Sequence, residues 1–214
     1  MEDDSSRRPL KTRSAEWAIV LAKVLTANGV TPNAISAFSV VAAAGGGLAF
    51  VAAGSGVIDW KAGWLAGAAC IQARLLCNLM DGMVAIEGGK KSATGDLWNE
   101  IPDRLADTIF LICAAWAVGL PWVGALAAWA SVMTAYVRAM GAALTGAHDF
   151  CGPFAKPHRM AALTVASLIT AAEVLWKGHG EVMKIAVIVI AAGACLTIVR
   201  RLLRLSAKLK EARP

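Results

Sequence analysis

The sequence has few charged residues, and its cysteines lack the spacing of a metal or disulfide site. Only 17% of the 214 residues are charged, whereas 57% are hydrophobic. This apolar content exceeds what a soluble core of that size needs, so it predicts a single domain in a lipid bilayer. The five cysteines are odd in number and include no C-x-x-C pair, which predicts free thiols rather than disulfides or zinc ligands.

Lysine and arginine residues lie mostly outside the apolar segments. With both termini assigned to the cytoplasm, fifteen lie on that side and three on the other, while Arg74, Arg104 and Arg138 lie within helices. This distribution follows the positive-inside rule and predicts a multi-pass protein of the cytoplasmic (inner) membrane with both termini cytoplasmic. The same residues account for the net charge of +6, so we expect no nucleic-acid partner.

Six apolar runs have about the 20 residues that a membrane-spanning helix needs. They cover residues 33–53, 62–84, 97–118, 122–144, 160–176 and 182–203. A preceding segment from Ser14 to Ala27 has apolar residues at helical spacing and is predicted to lie in the membrane interface. The predicted fold class is an all-α integral membrane protein, with six transmembrane helices preceded by an N-terminal amphipathic interfacial helix.

We predict three regions along the chain. Residues 1–13 are polar and basic and are expected to form a disordered cytoplasmic tail. Residues 14–204 are expected to form the membrane domain. Residues 205–214 are expected to form a basic C-terminal tail that contacts anionic membrane lipids.

Polar and acidic residues recur at helical spacing at the cytoplasmic ends of the second and third apolar runs. Two predicted helices each carry such a face, with Asn78, Asp81 and Ala85 on the first and Asp96, Asn99, Asp103 and Asp107 on the second. Polar groups at this depth are costly in a membrane unless they bind something. Two helices that present oxygen ligands toward each other can form a cage for hard cations such as Mg²⁺ or Mn²⁺. The spacing therefore predicts a functional site on the cytoplasmic side.

This pattern resembles the signature of the CDP-alcohol phosphatidyltransferase family, D-x2-D-G-x2-A-R-x8-G-x3-D-x3-D. The chain keeps the spacing of that signature from Asn78 to Asp103. The matching positions are Asp81, Gly82, Ala85, Gly95 and Asp103. The departures are Asn78, Ile86 and Asn99, where the family has Asp, Arg and Asp. Residues Thr31 to Ser36 are also similar to the family's entry into its first membrane helix, so the resemblance spans nearly the whole chain.

The resemblance implies a membrane transferase of phospholipid biosynthesis. Its expected reaction moves a substituted phosphate group from a CDP-alcohol to an acceptor hydroxyl with release of CMP. The expected donor is CDP-diacylglycerol. The implied partners are the CDP-alcohol lipid donor, a small or phosphorylated acceptor alcohol and membrane lipids. The implied cofactor is Mg²⁺ or Mn²⁺, and the resemblance also allows a homodimer.

The resemblance also assigns roles to individual residues. Asp103 is implied as the catalytic base. The implied metal ligands are Asn78, Asp81, Asn99 and Asp103. The implied nucleotide-binding residues are Gly82, Ala85, Ser92 and Gly95, and the implied acceptor-binding residues are Arg138, Lys156 and Arg159, because arginine and lysine bind phosphate groups well.

The three departures from the signature leave an alternative open. It is a catalytically impaired family member that binds nucleotide-lipid or scaffolds a lipid-synthesis partner. A small transporter ranks last because no inverted repeat is apparent in the sequence. Within the site, the candidates to compensate for the missing motif residues are Asp96, Glu100, Asp107 and Lys90, although acids near a helix start also favour the helix dipole without any metal.

Overall fold

Helices account for the regular secondary structure in the described part of the chain. The computed structural model describes residues 15–88, 94–176 and 178–211, and these ranges contain seven α-helices, one short 3-10 helix and no strand. The α-helices are α1 Glu16–Ala27, α2 Pro32–Gly54, α3 Trp60–Glu87, α4 Gly95–Ala117, α5 Pro121–Thr145, α6 Lys156–Ala172 and α7 Glu181–Glu211, and the 3-10 helix is Glu173–Trp176. The all-α prediction is confirmed. The predicted tail at residues 1–13 lies outside the described residues, and α7 continues as a helix through residues 205–211.

Four of these helices, α2, α3, α5 and α7, are long and apolar enough to cross a membrane, by length and composition. This indicates a membrane protein. The remaining two predicted spans correspond to α4, which carries several charged residues, and α6, which has 17 residues. The paired charges described below explain why α4 and α6 are less apolar than their neighbours.

The amphipathic segment at the start of the chain forms α1. Its small residues Ala18 and Ala22 are buried, and they pack in one apolar cluster with residues of α3. Other large apolar residues of α1 point outward, with Trp17 exposed by 52% and Val20 by 59%, whereas Leu21 and Leu25 pack against the cluster. An exposed apolar face on a short helix is typical of a segment that lies in a membrane interface.

The helix pairs that form the core pack closely through small residues. Helix α2 packs against both α3 and α4, while α5 packs against α4 and α7, and α6 packs against α3 and α7. At the contact between α2 and α3, a Cβ atom on Gly67 would overlap the ring of Phe50. Small residues at such positions let membrane helices approach closely, so α2 can bring α3 and α4 together at the site.

The side chain of Glu173, which precedes α7, caps the start of that helix. Glu173 is fully buried and accepts hydrogen bonds from the backbone N–H groups of Gly180 at 2.5 Å, Glu181 at 3.1 Å and Val182 at 2.7 Å. These N–H groups belong to the start of α7, where no intrahelical acceptor is available. A carboxylate also interacts favourably with the positive end of the helix dipole.

We therefore expect Glu173→Ala to destabilise the protein by about 1.5–3 kcal/mol, because the shared acceptor of three backbone N–H groups, one of them buried, is lost. In a thermal melt this corresponds to a decrease of at least about 3 °C. The control is Glu181→Ala, which removes an exposed carboxylate paired with Lys184 and is expected to change stability by less than about 0.5 kcal/mol. Equal melting temperatures for the two variants would contradict the capping role.

Candidate active site

Side chains from three helices meet at one point. Asn78 of α3 donates from Nδ2 to Oδ1 of Asp103 on α4 at 2.7 Å. Lys156, the first residue of α6, donates from Nζ to Oδ1 of Asn78 at 3.1 Å and also to Oδ2 of Asp103. Two signature positions from two different helices are thus in direct contact.

Asp81 lies beside this point and faces protein. It is 7% exposed, and its Oδ2 accepts a 2.9 Å hydrogen bond from Oγ of Ser36 on α2. Its Oδ1 accepts a 2.6 Å bond from the N–H group of Gly82. Asp81 is also close enough to Asp103 and Lys156 for their charges to interact. The carboxylate therefore belongs to the same site and does not face lipid.

A buried arginine links two carboxylates of α4 inside the helix bundle. Arg74 is fully buried, and its Nη2 donates to Oδ1 of Asp103 and to Oδ1 of Asp107, each at 2.8 Å. Asp107 also accepts a 3.2 Å bond from Nη2 of Arg159. Sequence reasoning gave Arg74 no role, although a charged residue inside an apolar run, one turn before Asn78, is a signal of a functional or paired group.

Cations surround the carboxylates of this cluster. Asp81, Asp103 and Asp107 face Arg74, Lys156 and Arg159, and Nη2 of a fourth cation, Arg104, lies 3.6 Å from Oδ2 of Asp103. Among the residues that the structure describes, no group of three or more His, Cys, Asp or Glu side chains is placed to hold a metal ion. A metal at this point would therefore rely on two carboxylates together with amide oxygen.

The predicted acceptor residues occupy two different environments. Arg138 pairs with Glu100 at 2.5 Å and lies 5.5 Å from the centre of the Phe150 ring, while Lys156 is 22% exposed on its side chain. Arg159 is 1% exposed, and besides Asp107 it donates to the backbone oxygen of Phe154 at 2.8 Å. Nη1 and Nη2 of Arg159 therefore bind protein groups, whereas Arg138 and Lys156 are partly exposed.

The two described acids proposed to compensate for the missing motif groups are both engaged in ion pairs. Glu100 pairs through its two oxygens with Arg138 and, at 3.5 Å, with Arg104. Asp107 binds the two buried arginines, Arg74 and Arg159. Lys90 and the side chain of Asp96 lie outside the described part of the structure.

The remaining predicted site residues that the structure describes lie on α3 and α4. Asn99 lies one turn before Asp103 on α4 and is exposed, so it is not brought into contact with the cluster. Gly82 and Ala85 near the end of α3 and Gly95 at the start of α4 are partly buried. Ile86, at the position of the family arginine, is 59% exposed. Ser92 lies outside the described residues.

The segment that leads into Lys156 is fixed to α7. Arg201 donates from Nε to the backbone oxygen of Cys151 at 2.9 Å, and Arg204 lies 3.3 Å from Asp149. Partial burial raises the pKa of Asp149, but the hydrogen bond from the Cys151 N–H and the charge of Arg204 outweigh this and hold that pKa below its ordinary value. Asp149 thus keeps its charge at neutral pH, and its ion pair helps hold the start of α6 in place.

The arrangement of helices in this chain matches that of a solved membrane enzyme. The chain has the fold of phosphatidylinositol phosphate synthase from Mycobacterium tuberculosis, which it resembles at 18% identity and a TM-score of 0.73 in a complex with manganese and citrate, over 88% of each chain. With CDP-DAG bound, the same enzyme matches at 19% identity and a TM-score of 0.73, over 89% of this chain and 94% of that one. Its apo form matches at 19% identity and a TM-score of 0.65, over 86% and 93%. No family model and no curated protein matches the chain.

Proposed function

We propose that this protein is a membrane transferase of the CDP-alcohol phosphatidyltransferase type. It transfers a substituted phosphate group from a CDP-alcohol to an acceptor hydroxyl and releases CMP. The proposed donor is CDP-diacylglycerol. The observation that carries the proposal is the 2.7 Å contact between Asn78 and Asp103 beside the buried Asp81. These are signature positions, and they meet in a fold shared with an enzyme whose structure contains CDP-DAG.

The donor set fits a hard divalent cation such as Mg²⁺ or Mn²⁺. Asp81 and Asp103 offer carboxylate oxygens. Asn78, whose amide nitrogen contacts Asp103, offers a neutral amide oxygen that now accepts a hydrogen bond from Lys156. Such oxygens are the preferred ligands of these ions. Asn99 is proposed as a further ligand from its exposed position one turn away. When bound, the ion neutralises the diphosphate and stabilises the charge that develops on CMP as it leaves.

The reaction joins the acceptor oxygen to the phosphorus next to the donor's alcohol and breaks the bond from that phosphorus to CMP. Asp103 is proposed to take the proton from the acceptor hydroxyl, since a positioned carboxylate acts as a general base. Gly82, Ala85 and Gly95 lack large side chains and let the nucleotide approach the backbone closely. Ser92 is proposed to contact the nucleotide phosphates.

A phosphate on the acceptor is proposed to bind the three basic residues assigned to it. Arg138 and Lys156 are partly open and suit direct contact. Arg159 is buried against Asp107, so its contribution is proposed to come from positioning the cluster beneath them.

We propose that α2 to α7 all span the cytoplasmic membrane and that α1 lies in its interface. The charges on α4 and α6 are largely paired inside the bundle, which lowers the cost of placing these two helices in lipid. The exposed apolar face of α1 supports an interfacial position. The termini and the site are then cytoplasmic, where nucleotide-activated lipids are found, and a homodimer is compatible with this arrangement.

The test is CMP release from CDP-diacylglycerol by the purified full-length protein in lipid nanodiscs. Free and phosphorylated polyols serve as acceptors, with Mn²⁺ or Mg²⁺ present or removed by a chelator. We expect CMP release that requires both the metal and an acceptor. Folded protein that releases no CMP with any donor would overturn the proposal.

The alternative function is a catalytically impaired member that binds nucleotide-lipid or scaffolds a partner. It is favoured by Asn78 and Asn99 in place of two acids and by the exposed Ile86 in place of an arginine. Calorimetry that detects CDP-diacylglycerol binding without turnover would support it.

A further inference from the structure

The amine of Lys156 contacts two side chains that the sequence resemblance implies as metal ligands. Its Nζ atom contacts Oδ1 of Asn78 and Oδ2 of Asp103, which are oxygens of two implied metal ligands. An ammonium group has three N–H donors and a positive charge, so it interacts favourably with the same oxygens that would bind a metal ion. The remaining Asp103 oxygen, Oδ1, already accepts bonds from Arg74 and Asn78. Neither oxygen of Asp103 is therefore free of a donor.

Contacts made by the first turn of α6 hold Lys156 in position. It is the first residue of α6, and Arg159, in the same turn, is anchored to Asp107 and to the Phe154 backbone. Because Asp103 already faces three cations, namely Arg74, Arg104 and Lys156, a divalent ion added beside them would bring excess positive charge. The side chain of Lys156 is nevertheless 22% exposed, so it is not enclosed completely by the bundle.

We propose that Lys156 is a resident cation that competes with the divalent ion for the Asn78–Asp103 oxygen pair. Lys156 must leave these oxygens before they bind a divalent ion, and its amine then faces the side from which an anionic substrate enters. In the absence of substrate the protein therefore binds Mn²⁺ weakly. This inference rests on the proposed function, because it concerns the metal of that same site.

The test measures Mn²⁺ binding to the full-length protein in nanodiscs without substrate, by the electron paramagnetic resonance signal of free Mn²⁺. We expect Lys156→Met to bind Mn²⁺ at least about tenfold more tightly, since a charge-assisted hydrogen bond contributes about 1.5 kcal/mol and 1.4 kcal/mol is tenfold. Lys156→Ala serves as a second variant if the first does not fold.

Two matched controls separate occupancy of the oxygen pair from loss of charge. Arg138→Met also removes one positive charge at the site without vacating these oxygens, and we expect less than about a threefold change. Lys184→Met removes a lysine that pairs with Glu181 at the start of α7, and we expect no change. Equal effects of Lys156→Met and Arg138→Met, or unchanged Mn²⁺ binding in Lys156→Met, would overturn the inference.

A second measurement uses the wild-type protein. Mn²⁺ is expected to increase the rate at which an amine-acetylating reagent modifies Lys156 but not Lys184, as followed by mass spectrometry, because a displaced amine is more accessible. Equal acetylation rates with and without saturating Mn²⁺ would contradict displacement.

The inference and the proposed function can fail separately. Metal-dependent CMP release together with an unchanged Mn²⁺ affinity in Lys156→Met would contradict only this inference. Tighter Mn²⁺ binding in that variant without turnover in the wild type defeats only the proposed function.

Discussion

Replacing Asp103 with asparagine is expected to lower the rate of CMP release by about 10²- to 10⁴-fold. The Asp103 carboxylate pairs with Arg74 and Lys156 and is proposed to accept the proton of the acceptor hydroxyl. An amide has no negative charge with which to accept that proton, and its own NH₂ group would meet cationic donors. The initial rate of CMP release from CDP-diacylglycerol with saturating Mn²⁺ measures the effect.

The control for this variant is Glu181→Gln. It makes the same change from carboxylate to amide in the first turn of α7, where Glu181 is exposed and pairs only with Lys184 among the described residues. Its rate is expected to stay within about twofold of wild type, because exposed ion pairs contribute little. Near wild-type turnover by folded Asp103→Asn protein would mean that another group accepts the proton.

The second large effect is expected on stability, from Asp107→Ala. Asp107 is 1% exposed and is the shared partner of Arg74 and Arg159, which are also buried. Removing one partner of a buried ion pair leaves an uncompensated charge and costs about 3–5 kcal/mol. We therefore expect a large decrease in melting temperature, or a loss of folded protein from the membrane fraction.

An exposed Asp–Arg pair in the same chain provides the comparison. Asp149 lies 3.3 Å from Arg204, and both side chains are partly exposed. Asp149→Ala is expected to cost less than about 1 kcal/mol. If Asp107→Ala melts at the same temperature as Asp149→Ala, the buried arginines do not depend on Asp107.

The helices could be predicted from sequence because their signal is local. The apolar run predicted at 33–53 corresponds to α2 at Pro32–Gly54, and the run at 122–144 corresponds to α5 at Pro121–Thr145. Helix α6 begins at Lys156, four residues before the predicted run. Its first turn contains Lys156 and Arg159, whose charges hide a helix from a search for apolar residues.

The site was only partly accessible to sequence reasoning. Spacing along one helix fixes which residues share a face, and this placed Asp81 and Asp103 among the candidates. Spacing does not determine which side chain of a distant helix meets that face. The ion pairs of Arg74 with Asp103 and the contact of Lys156 with Asn78 join residues far apart in sequence, so they depend on the packing of whole helices.

The central claim is that oxygens of Asp81 and Asp103 hold a divalent ion against the diphosphate of a CDP-alcohol. The most direct measurement is the position of manganese, from its anomalous scattering, in crystals of the full-length protein with CDP-diacylglycerol and Mn²⁺. We predict a manganese peak in contact with both carboxylates and with the diphosphate, at about 2.1 Å from the ligand oxygens, as in octahedral oxygen ligation. A bound CDP-diacylglycerol with no manganese at these carboxylates, or with its diphosphate elsewhere in the bundle, would contradict the claim.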